Sequence, residues 1–135
     1  MSETTVRKVS ISDFQFVLKN AEVAFKGNMA CIDTSIGEVV PGATSTTLVP
    51  IGVFTENLTG DGTALVNVSL FNNLWAYWFT NDTGTPVVAG DIGSSCYIKD
   101  ATTVTGDNTG TSVAGLVVRL DTLKGVLVSS TRFGL

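Results

Sequence analysis

The chain has 135 residues, enough for one domain that buries roughly two-thirds of its unfolded surface without metals or disulfides. It contains no histidine, which removes Ser-His and Cys-His catalytic pairs and the usual zinc and haem ligand sets. Twelve acidic against eight basic residues give a net charge of -4, a balance that argues against nucleic acid as a partner, because phosphate contacts need clustered Lys and Arg.

The first residues, Met1 to Thr5, are polar and lack the apolar stretch of a secretory signal, and no apolar run approaches the twenty residues a membrane helix needs. Neither secretion nor a membrane is therefore expected. Met1 to about Ser12 carries few apolar groups and cannot offset its ordering entropy within a monomer. It is read as an extended arm, residues 1–12, ahead of a β domain over 13–135. Val6, Val9 and Ile11 would add as a strand to a neighbour's sheet edge, with Arg7 and Lys8 meeting acidic groups on a partner.

Asp13 to Ala24 reads two ways. Phe14, Val17, Leu18 and Ala21 fit a helical face, whereas Phe14, Phe16 and Leu18 fit a strand face; the β character of the rest favours a strand. From there turn signals recur at short intervals, among them Asp33 to Gly37, Pro41-Gly42, Gly60-Asp61-Gly62, Asn81 to Gly84 and Gly106 to Gly110. Between turns lie runs rich in Val, Ile, Thr and aromatics: Leu48 to Thr55, Ala64 to Leu70, Leu74 to Thr80, Ser95 to Lys99, Val113 to Asp121 and Val126 to Ser129. Short strands at this spacing predict an all-β sandwich or small barrel. In Ala64 to Leu70, Val66 and Val68 share one face with Asn67 and Ser69 opposite. Val113 to Asp121 is apolar on nearly both faces and is expected to be central and covered on each side.

Cys31 and Cys96 each sit in an apolar stretch and are expected to be reduced and buried, one per strand, although a disulfide or a functional thiol stays open. No Walker A, GxGxxG, GxSxG or EF-hand pattern occurs, and no cofactor is expected. Asp33, Asp61, Asp82, Asp91 and Asp107 stand in turn contexts, where capping is the ordinary role of a carboxylate. The chain is accordingly not expected to be an enzyme, although a small hydrolase with a carboxylate pair meeting in space remains the last alternative.

The run Leu74-Trp75-Ala76-Tyr77-Trp78-Phe79 is the most unusual segment. On a strand it places Trp75, Tyr77 and Phe79 on one face and Leu74, Ala76 and Trp78 on the other. One aromatic face can be core; a second needs cover from another layer or chain. Trp75, Tyr77 and Trp78 are therefore candidate interface residues, with core packing or a sugar-binding platform as the other readings.

Several stretches resemble a known family: Phe25-Lys26-Gly27 leading to Cys31-Ile32-Asp33, then Gly37 to Pro41, Ala89 to Asp100 and Ala114 to Asp121. Over residues 22 to 128 the chain is similar to the head decoration, or cement, proteins of tailed bacteriophages, particularly Mu-like phages. The resemblance implies a jelly-roll or tulip-like β fold and a homo-oligomer, dimer or trimer. It further implies binding to the major capsid protein on the outer surface of the virion, after assembly in the host bacterial cytoplasm. The aromatic run departs from the family's simpler pattern. A carbohydrate-binding β-sandwich for host-surface recognition is the first alternative function.

Overall fold

A computed structural model describes residues 13–71 and 76–130. The described chain is all-β, as expected, and the two halves of the sequence build different parts of it. The first half supplies β1 (Asp13–Val17), β2 (Val23–Ala24), β3 (Met29–Asp33), β4 (Glu38–Pro41), β5 (Leu48–Phe54), β6 (Leu58–Thr59) and β7 (Leu65–Leu70). The second half supplies β8 (Ala76–Asn81), β9 (Ser95–Ile98), β10 (Thr103–Thr105), β11 (Val113–Asp121) and β12 (Gly125–Ser129), with a short 3-10 turn at Ala89–Asp91.

Five strands of the first half form a sheet in the order β1-β7-β5-β3-β4, with β2 and β6 as a separate ribbon. The sheet curls until its edges meet, because Leu18 bridges Val39 and the Lys19 amide donates to the Val39 carbonyl at 3.0 Å. The second half closes as a five-stranded barrel, β10-β8-β12-β11-β9, in which β10 and β8 run parallel and the other described pairs antiparallel. The ambiguous segment is thus extended, as favoured: Asp13–Val17 pairs with β7 in continuous register, Phe14 opposite Val68 and Phe16 opposite Val66.

Alternation along β3 and β4 creates two cores. Ala30, Ile32 and Val39 point to one side, with Leu18, Phe54, Val66 and Val68. Met29, Cys31 and Val40 point to the other, where they meet the barrel's Phe79, Cys96, Ile98, Val104, Val117, Val126 and Val128. The strands between the halves are therefore covered on both faces, and period-2 alternation divides their side chains between the cores. Backbone bonds tie the halves as well: the Met29 amide donates to the Ala101 carbonyl at 2.8 Å and the Ser112 amide to the Ser45 carbonyl at 2.9 Å.

One expectation is corrected. β11 is not covered on both sides, since Val118 is 45% exposed and Val113 is 38% exposed. Register shifts between Val113 and Gly115 and between Val117 and Arg119 break the strict alternation. Each bulge slips the phase by one residue, so Ala114, Gly115 and Val117 turn inward and Val118 outward. Its extra apolar residues form part of an outer wall rather than a second core.

Candidate interaction surface

Of the predicted interface residues, Val6, Arg7, Lys8, Val9, Ile11 and Trp75 lie outside the described residues. Tyr77 and Trp78 are described, and β8 sends them in different directions. Tyr77 stands opposite Val128 and packs its ring against Phe71, centroids 5.5 Å apart at 48°. Its hydroxyl lies 3.3 Å from the Ser69 hydroxyl on β7. It is a half-buried pillar between the two halves of the molecule.

Trp78 belongs to the outer wall of the barrel. It stands opposite Leu127 on β12, and Leu127 stands opposite Arg119 on β11. Inward residues flank this row: Phe79 pairs with Val126, and Val128 with Val117. The next outward row reads Ala76, Ser129, Leu116. With Val118 thrown outward by its bulge, Trp78, Leu127, Leu116 and Val118 make an apolar wall across three hydrogen-bonded strands. A wall on paired strands is pre-organised, so little ordering entropy remains to be lost when it is covered.

Cations rim this wall. The Lys124 ammonium, from the turn joining β11 to β12, lies 5.6 Å from the centroid of the Trp78 ring, within cation–π range. That turn is set by Asp121, whose carboxylate accepts the Leu123 amide at 2.8 Å and the Lys124 amide at 2.9 Å. On the other side of Trp78 a groove of about 340 Å³ runs to the first half of the chain, lined by Lys26, Gly27, Val53, Phe54, Thr55, Ser69, Tyr77 and Trp78. Its far lip is fixed by the Lys26 amide donating to Asn57 Oδ1 at 2.8 Å and the Gly27 amide donating to the Phe54 carbonyl at 2.8 Å. Gly27 turns there with φ near 89°, which favours glycine.

The acidic residues are used differently. Asp33, Asp61, Asp100 and Asp107 each accept the amide of the residue two positions on, from Ser35, Thr63, Thr102 and Thr109. Asp91 accepts the Val88 amide at 2.9 Å. Asp82, nearly buried, accepts the amides of Gly84 and Thr85 and the Thr105 hydroxyl, and sits 3.5 Å from the Lys99 ammonium. These bonds hold the Asp82 carboxyl down at about 2, the Gly84 amide first among them. A carboxylate committed this way is locked as an acceptor and unsuited to proton transfer near neutral pH. Among the described residues no three His, Cys, Asp or Glu gather in a metal-holding group. Cys31 and Cys96 are free and buried in β3 and β9, and burial pushes both thiols up to about 12.

Sequence reasoning pointed to Trp78 but not to its surroundings. Lys26, Arg119, Lys124, Leu127 and Val118 reach the site through strand pairing and two turns. The only local hint was the surplus of apolar residues in β11. No family model, curated protein or solved structure matches the chain.

Proposed function

We propose that the protein is a capsid decoration, or cement, protein that binds the outer surface of a tailed-phage head and stabilises contacts between coat subunits. The observation that carries this reading is the apolar wall of Trp78, Leu127, Leu116 and Val118, held on paired strands with Val118 exposed and the other three half-buried, on an acidic, weakly charged molecule. Large aromatics presented this way anchor protein interfaces. The resemblance over residues 22 to 128 supplies the partner, the major capsid protein, and the homo-oligomeric state. The Asp carboxylates, spent on turns, leave little for the hydrolase alternative.

Cementing is a mass-action effect. A protein that binds the assembled, expanded lattice but not free subunits stabilises the lattice by RT ln(1 + [L]/Kd) per site, and many equivalent sites multiply a modest gain. Co-sedimentation tests the reading. The protein should pellet stoichiometrically with expanded, undecorated heads, and Trp78→Ala should weaken this about 30-fold, the equivalent of about 2 kcal/mol. Failure of the wild-type chain to pellet with heads overturns it. Binding to a glycan array through Trp78 with no head binding would establish the carbohydrate reading in its place.

A further inference from the structure

Five of the eight basic residues lie among the described ones: Lys19, Lys26, Lys99, Arg119 and Lys124. Three of them surround Trp78. Lys124 lies over its ring, Lys26 lines the groove beside it, and Arg119 stands two strands away, about 10 Å, across Leu127. Lys99 is the one cation in an ion pair among the described residues, with Asp82 on another part of the barrel. Among the described residues no carboxylate forms an ion pair with Lys26, Lys124 or Arg119, although Asp121 lies close enough to Lys124 and Arg119 for their charges to help hold its carboxyl low. Asp121 is turned onto the Leu123 and Lys124 amides, and Glu56 accepts the Asn67 amide at 2.8 Å. A chain of net charge -4 thus assembles a local cationic rim around its largest described aromatic side chain, next to a groove with Val53 and Phe54 in its lining.

We infer that this basin receives a protein segment in which one large apolar side chain is flanked by carboxylates. The inference rests on the proposed decoration function and specifies the chemistry of the coat surface that Trp78 meets. The groove accepts the apolar anchor, and Lys26, Lys124 and Arg119 face the flanking acids. Exposed cations on a rim contribute mainly to orientation and association rate, while the anchor contributes affinity. The same rim rejects a basic partner, so the arrangement selects as well as binds.

The test uses the full-length ¹⁵N-labelled protein and a capped pentapeptide, Glu-Asp-Phe-Glu-Asp, with its neutral counterpart Gln-Asn-Phe-Gln-Asn and a sulfated disaccharide as controls. The acidic peptide should shift the amides of Gly27, Thr55, Trp78 and Lys124 and the Trp78 indole. Binding should weaken about tenfold between low and near-physiological salt, as three exposed charge pairs are screened. A Lys26→Gln, Lys124→Gln double variant should lose the same factor while keeping its spectrum elsewhere. Equal shifts from the neutral peptide, stronger shifts from the sulfated sugar, or none from the acidic peptide would each overturn the inference. The two readings fail separately: heads that pellet with the protein despite a silent peptide titration leave the decoration function standing, whereas peptide binding without head binding removes that function alone.

Discussion

Gly115 on β11 and Ser129 on β12 approach so closely that a methyl group on Gly115 would stand 2.3 Å from the Ser129 carbonyl oxygen and 2.6 Å from a Val128 methyl. The obstacle includes backbone, so it cannot swing aside. Gly115→Ala is expected to destabilise the fold by about 3 kcal/mol, at the high end of overpacking costs. Gly90→Ala, with nothing within 4 Å of the added carbon, should change stability by under about 0.5 kcal/mol. Urea denaturation of both variants checks the contrast, and a harmless Gly115→Ala would mean the β11–β12 pairing is wrong.

Ala21 is held at φ 69°, in the left-handed region, with its amide donating to the Gly60 carbonyl at 3.0 Å. The conformation costs a residue with a Cβ roughly 1 kcal/mol, and glycine nothing. Ala21→Gly should therefore be neutral or raise stability by up to about 1 kcal/mol, the reverse of the usual loss for this exchange. A lowered melting temperature would contradict the turn.

The Asp82 carboxyl, held near 2 by the Gly84 amide, the Thr105 hydroxyl, the Thr85 amide and Lys99, sets a pH dependence of known sign. Its folded value lies below its unfolded value, so the stabilisation is complete above about pH 4 and is lost as pH falls towards 2. Thermal melts from pH 7 to 2 should show Asp82→Asn less stable at neutral pH and less sensitive to acid than the wild type. Parallel curves would remove Asp82 from the account. Asp33, Asp61, Asp100, Asp107 and Asp121 are also lowered, so the variant should flatten the acid limb without abolishing it.

Both thiols are buried and pushed up to about 12, which leaves almost no thiolate at pH 8. A disulfide-exchange reagent should titrate neither cysteine in the native protein and both after denaturation. Rapid reaction of either native thiol, or a Cys31–Cys96 bridge in the non-reduced mass, would contradict the packing of β3 against β9.

Much of the strand layout is readable from residue pattern alone. β7 carries Val66 and Val68 inward with Asn67 and Ser69 half-buried opposite, because one face is core and the other is not. β5, β9, β11 and β12 fall within a residue or two of the runs that announced them. β11's orientation was not readable, since a bulge is a property of the pair and Val118 looks like any other strand valine. The shared wall of β3 and β4 escaped for a related reason: Met29 to Ile32 is uniformly apolar, and alternation is invisible when both faces are buried. The interaction surface was half readable. Trp78 advertises itself by type, but Lys26 and Lys124 acquire meaning only once the β2 turn and the β11–β12 turn are brought to it.

The wall of β3 and β4 has a mechanical consequence. Cys31, Met29 and Val40 fill a core shared with the barrel while Ala30 faces a core of first-half residues alone, so separating the halves exposes the shared core on both sides. The two halves should melt in a single transition, without a separately stable fragment for a protease to release. A load applied at the Trp78 wall passes through Tyr77 and Phe71 into the sheet behind, so traction on that face is shared by both halves of the molecule.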